Sequence, residues 1–200
     1  MNTQLQNNIQ SLDNTVISEE RKEVLNDLID YIKEKIEHQK PINLNFICTH
    51  NSRRSQFSQA WAFVLGHHYK LPINSYSGGV EITACNERTV ASLKRMGFEI
   101  TEQANGTNPI YTLHLEDTSL ELYSKLYDDP NNPQEDFAAI MTCSSADEGC
   151  PFIPGAEKRL PIRYEDPKAF DDTDLESKMY DERSLNIASE LNYVFAKALE

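Results

Sequence analysis

Residues 42–55 read INLNFICTHNSRRS, and no other stretch restricts the fold as tightly. A short apolar run (Leu44, Phe46, Ile47) ends at Cys48, a short loop follows, and Arg54-Ser55 opens a helical pattern. That helix, about Ser55 to His68, carries Phe57, Ala60, Trp61, Val64 and Leu65 on one face. Strand, tight loop and helix N-terminus together make an anion cradle, because loop N–H groups and the positive end of the helix dipole converge. Cys48 and Arg54 stand at C-x5-R spacing, so Thr49, His50, Asn51, Ser52 and Arg53 form a loop able to wrap a tetrahedral oxyanion. Such a cradle lowers a cysteine pKa from its free value of about 8.5 and makes a thiolate nucleophile. Arg54 offers a planar fork of donors to the oxyanion, and Ser55 can donate its hydroxyl to the sulfur. The plainer alternative is a buried cysteine at a strand end beside a surface arginine; the strand before and the helix after favour the cradle.

Before this stretch, residues 1–17 are polar and rich in Asn and Gln, which predicts a frayed tail. Ser18 then caps a helix with Val24, Leu25, Leu28, Ile29, Ile32 and Ile36 at helical spacing, ending before Pro41. Residues 1–40 are thus expected to be an N-terminal tail and helix added to a catalytic domain over 41–200. After it, Pro72–Ser77 reads as a strand closed by Gly78-Gly79, and Asn86–Met96 as a short helix capped by Gly97. Ile110–Leu115 alternates as a strand, Ser119–Tyr127 reads as a helix, and residues 128–133 as a surface loop. Phe137–Thr142 is a buried strand ending at Cys143, Lys158–Ile162 is the last strand, and Leu175–Leu199 a closing amphipathic helix. Strands alternating with helices predict an α/β fold with parallel strands and right-handed crossovers.

Two hundred residues suit one domain with an appendage. Net charge is −13, which excludes nucleic acid and anionic membrane surfaces as partners. No apolar run spans a bilayer and the first residues carry no secretion signal, so the chain reads as cytoplasmic with its four cysteines reduced. An anion site in so acidic a chain needs local positive charge, and Arg53-Arg54 supplies it.

FICTHNSRRSQ resembles the phosphate loop of the low-molecular-weight protein tyrosine phosphatase superfamily, and SGGVEITACNERTVASLKRMGFEI resembles its next segment. Cys143-SSADEG-Cys150-Pro151 and the later Asp166-Pro167 are similar to the thioredoxin-coupled arsenate reductase branch. The resemblance runs from about Ile42 to Leu199, with an insertion near 107–135. It implies a three-layer sandwich about a central parallel sheet of about four strands. It also implies Cys48 as nucleophile, Arg54 as oxyanion clamp, Asp166 as general acid, and Cys143 with Cys150 as a thiol–disulfide relay. An external reductant of the thioredoxin kind follows, with no tightly bound cofactor and no metal. Two residues depart from the family pattern: His50 stands at a usual glycine, and Arg53 at a second cysteine.

Three functions follow as expectations. The first is arsenate reduction to arsenite through the three-cysteine relay. The second is hydrolysis of phosphotyrosine or a small phosphomonoester through a phosphocysteine, which needs only Cys48, Arg54 and Asp166. The third is a non-catalytic oxyanion-binding module. Cys85 is expected to be a packed small side chain, and His67-His68 to end a helix rather than bind metal.

Overall fold

The computed structural model describes residues 1–103, 106–149 and 152–200, so Cys150 and Pro151 lie outside the described residues. In chain order the elements are α1 (Thr3–Leu12), α2 (Glu19–Glu37), β1 (Ile42–Cys48), α3 (Arg54–Tyr69), β2 (Ile73–Gly79), α4 (Glu87–Arg95) and β3 (Glu99–Glu102). There follow β4 (Tyr111–Leu115), β5 (Thr118–Leu122), β6 (Phe137–Met141), α5 (Ser144–Gly149), β7 (Ala156–Leu160), a 3-10 turn over Pro167–Phe170, and α6 (Glu176–Ala198).

The central sheet is parallel, in the order β2-β1-β6-β7. Alternation along its strands splits the apolar side chains between two faces. Ile42, Leu44, Phe46, Ala138 and Ile140 join the large core with α2, α3 and α6, while Ile47, Phe137, Ala139 and Met141 join a second cluster with Cys143, Ala146 and Ile153. Burial on both faces explains why FAAIM reads as a continuous apolar run. Trp61 anchors the larger core: it is fully buried, donates to Ser184 Oγ at 2.9 Å and meets Phe98 edge-on at 4.8 Å. The expected α/β fold with four parallel strands is the fold observed.

Two expectations fail. Ser119–Tyr127 is not a helix, because β5 pairs with β4 and β4 with β3 in a three-stranded antiparallel sheet. Leu115 pairs with Thr118 across the two-residue turn Glu116-Asp117, where Glu116 has φ +52°. No glycine or asparagine marks that turn, and S-L-E-L fits a helical turn as well as an alternating strand.

The frayed tail is instead α1. Asn2 caps it, and Leu5, Ile9 and Leu12 lie buried on one face. Its amides have a specific use. Gln4, Asn2 and Asn8 donate to the carbonyls of Arg95, Gly97 and Met96 at 2.6, 2.8 and 2.9 Å. These are the carbonyls a helix end leaves without internal partners, so the Asn/Gln-rich segment caps the end of α4.

Candidate active site

Cys48 ends β1, and Cys143 lies just past the end of β6, its neighbour in the sheet. The sheet order reverses between these strands, and their carboxyl ends form the crevice where open α/β sheets place ligands. Both sulfurs belong to the same small apolar cluster, and both residues are buried.

The loop from Thr49 to Arg53 is held from outside by its carbonyls. Thr49 O accepts from the backbone N–H of Val80 and Glu81 at 2.8 and 2.9 Å. His50 O accepts from Ser124 Oγ at 2.8 Å and Thr83 Oγ1 at 3.1 Å, Asn51 O from Gln56 Nε2 at 2.9 Å, and Ser52 O from the N–H of Asn86 at 3.0 Å. Because a trans peptide unit points its C=O and N–H in opposite directions, the N–H groups of residues 50–53 are left on the inner side. Arg53, at the N-cap position of α3, makes no side-chain cap, so the N-terminal amides of the helix are not capped by it.

Asn51 is the hub. It is fully buried with φ +46°, a conformation asparagine tolerates better than most residues. Its Nδ2 donates to Ser55 Oγ at 2.9 Å and its Oδ1 accepts from the N–H of Lys125 at 3.0 Å. Ser55 Oγ lies 3.0 Å from Cys48 Sγ. With a lone pair taken by Asn51, the Ser55 hydroxyl hydrogen is free to point at the sulfur. Gly79 closes the outside of the loop: a Cβ there would meet Asn51 N, Thr49 O and Glu81 O, each at 2.8 Å. The side chain of His50 stays half-exposed at the rim, 3.4 Å from Glu81.

Asp166 faces the two arginines. Arg53 Nε donates to Oδ1 at 2.8 Å and its Nη2 to Oδ2 at 3.4 Å; Arg54 Nη2 donates to Oδ2 at 2.8 Å. Arg54 Nη1 donates to the carbonyl of Tyr164 at 3.0 Å, while its Nε is buried without a partner among the described residues. Burial alone would raise the Asp166 pKa; Arg54 and then Arg53 outweigh it and hold the carboxyl below its usual range. In this state the Arg54 fork is occupied by the protein's own carboxylate.

Cys143 touches the loop through Thr49, whose Oγ1 is 3.5 Å from Cys143 Sγ, and it accepts from the N–H of Ala146 at 3.4 Å. The residues after it form α5, pinned by Asp147, whose buried carboxylate pairs with both Arg159 and Arg163. Cys85 is a packed small side chain, its thiol pushed up to about 12 by burial. His67 is 3.3 Å from Glu116, and among the described residues no cluster of His, Cys, Asp or Glu could hold a metal ion. Nor is any described helix long and apolar enough to cross a membrane.

The structure thus brings Cys48, Thr49, Arg53, Arg54, Ser55, Cys143 and Asp166 into one constellation, with Cys150 outside the described residues. Sequence reasoning missed the buttresses. Gln56 is detectable as a polar residue on a buried helix face; the Tyr164 carbonyl and Lys125 amide are backbone groups with no residue-type signal.

No protein-family model matches the chain. A curated arsenate reductase of Staphylococcus saprophyticus is 30% identical over 123 residues, 61% of this chain and 76% of that protein. Among solved structures, a Bacillus subtilis YwlE mutant superposes with TM-score 0.52 at 11% identity, over 80% of this chain and 99% of that one. The YwlE arginine phosphatase of Geobacillus stearothermophilus gives 0.50 at 15% identity, over 78% and 92%. A sulfur at the end of a central strand, an arginine at the start of the next helix and this shared sequence agree: the chain belongs to the arsenate reductase family and shares the fold of the YwlE structures.

Proposed function

We propose that the protein reduces arsenate to arsenite. Arg54, Ser55 and the amides of the Thr49–Arg53 loop hold the oxyanion. Cys48 attacks arsenic, and Asp166 supplies the proton with which a hydroxyl departs as water. Cys143 then attacks Cys48 Sγ. The S–As electron pair stays on arsenic, which leaves as arsenite, and a Cys48–Cys143 disulfide remains. Cys150 attacks Cys143 to free Cys48, and a dithiol of the thioredoxin kind reduces the Cys143–Cys150 bond. Residues 41–200 form the catalytic domain in this reading, and the enzyme works in the cytoplasm. The observation that carries it is the placement of Cys48 and Cys143 at neighbouring strand ends, with the Thr49 hydroxyl 3.5 Å from Cys143 Sγ.

A phosphomonoester hydrolase is the second reading, favoured by one observation: Cys48, Arg54 and Asp166 are together within the described residues, and water in place of Cys143 would complete it. The deciding measurement is disulfide mapping by mass spectrometry after one turnover with arsenate and no reductant. Arsenite appearing together with a Cys143–Cys150 bond supports the reductase. Free thiols throughout, with arsenate only inhibiting hydrolysis of p-nitrophenyl phosphate, would replace it with the hydrolase.

A further inference from the structure

We propose that Arg53 is a positioning residue that fixes which oxygen of Asp166 faces the bound oxyanion. This rests on Asp166 being the proton donor. Oδ1 is tied twice, to Arg53 Nε at 2.8 Å and to the N–H of Lys168 at 3.0 Å. Oδ2 is tied chiefly to Arg54 Nη2, at 2.8 Å. The two oxygens are therefore anchored to different parts of the site. When an oxyanion enters and takes the Arg54 fork, Oδ2 loses its main partner and Oδ1 keeps both of its own. The carboxyl stays at the mouth of the cradle with Oδ2 toward the ligand.

The same exchange changes which proton state is favoured. Departure of Arg54 removes a positive charge from Oδ2, and the oxyanion brings a negative one; both favour protonation there. A proton taken up from solvent then sits on the oxygen that faces the departing hydroxyl, and Asp166 returns to a carboxylate when it is given up. The Arg53 guanidinium never touches the oxyanion in this scheme. It keeps the acid in place during the interval when Arg54 is engaged elsewhere.

The remaining side chains around the carboxyl do not duplicate this role. Tyr180 on α6 donates its hydroxyl to Asp171 at 2.8 Å, and Asp171 lies within electrostatic range of Arg53. Arg183, also on α6, is under the influence of Glu165 and Arg54. Among these described neighbours, Arg53 is the cation besides Arg54 with a hydrogen bond to Asp166.

The test is a double-mutant cycle on the rate at which arsenate consumes the first thiol, using the full chain. Arg53→Met is expected to slow that step about tenfold in the wild-type background and less than about twofold in Asp166→Asn. Arg53→Lys should recover part of the rate, since an ammonium can replace one of the two bonds. Equal losses in both backgrounds would overturn the proposal, because Arg53 would then be acting on the oxyanion or the fold directly. A second readout needs no turnover: carbon-13 titration of the aspartate carboxyls, with Asp166 assigned by Asp166→Asn. Arg53→Met should raise the Asp166 titration by about one pH unit, and an unmoved titration overturns the proposal. If arsenate consumes no thiol in any variant, the reductase reading fails, and the titration alone decides the placement of Asp166 by Arg53.

Discussion

Replacing Gly79 with alanine tests the cradle without removing any group that meets an oxyanion. The glycine pairs with Cys48 across β1 and β2, and an added Cβ would stand 2.8 Å from Asn51 N, Thr49 O and Glu81 O. Ordinary contact begins near 3.4 Å, so three backbone atoms must each yield about 0.6 Å. The strain lies entirely in these contacts, because the φ of Gly79 is not in the left-handed region. Overpacking of this kind costs about 1–3 kcal/mol. For a chain of this size that lowers the thermal midpoint by roughly 2–12 °C. Turnover should suffer more. Two of the three atoms belong to the loop, and a misplacement near 1 Å in a catalytic array costs about a hundredfold; a fall of about 10- to 100-fold is therefore expected at a temperature where the variant is fully folded. Steady-state turnover with scanning calorimetry on the same preparation measures both. Gly106→Ala is the control, since nothing lies within 4 Å of a Cβ there. A Gly79→Ala protein with wild-type midpoint and turnover would refute the claim that the end of β2 braces the loop.

Three other outcomes follow from the packing. Asn51→Ala removes the donor to Ser55 and the acceptor for Lys125, and places alanine at φ +46°, so unfolding in denaturant should show a loss of about 2–4 kcal/mol, with Asn51→Gly losing less. Lys125 is buried, and burial lowers its pKa from 10.5 to about 8, so folded protein disfavours its charge. That penalty is complete below pH 8 and is relieved as pH rises from about 8 to 10.5, amounting to about 3 kcal/mol at most. After loss of the contact with the Tyr123 ring, Lys125→Met should stabilise by about 2 kcal/mol at pH 7 and by much less at pH 10 in urea titrations. Ile9→Ala, at a site 2% exposed, should cost about 2–5 kcal/mol and lower the thermal midpoint; an unchanged midpoint would mean α1 is not docked.

The central strands and the cradle were legible from local patterns. F-A-A-I-M, buried on two faces, is an uninterrupted apolar run, and I-N-L-N-F-I-C ends at a cysteine six positions before the arginine that opens a helical pattern. The antiparallel sheet was not legible, since its tight turn is Glu116-Asp117, a pair with no turn signature, held at φ +52° by the pairing on either side. For α1 the composition misled. Asn lowers helix propensity, and Asn and Gln both lower apolar content, which suggests a solvated tail. Asn2, Gln4 and Asn8 instead complete the end of α4, a need belonging to residues more than 80 positions away.

Arg53 shows how far a motif reaches. From its place in the loop it counted as one more positive group for the oxyanion, in a chain of net charge −13 that needed one. Its guanidinium is spent instead on Asp166, 113 residues later. The distinction has a consequence for charge. Before an oxyanion binds, Arg53 and the Asp166 carboxylate cancel, so the attraction that an approaching oxyanion meets comes from Arg54, the loop amides and the start of α3. Salt should therefore weaken oxyanion binding less than a two-arginine site would require, because one arginine is already neutralised within the protein. Calorimetric titration with inorganic phosphate across ionic strength measures the slope. A steep slope, flattened equally by Arg53→Met and Arg54→Met, would show that both charges reach the ligand and that the pairing with Asp166 opens on binding.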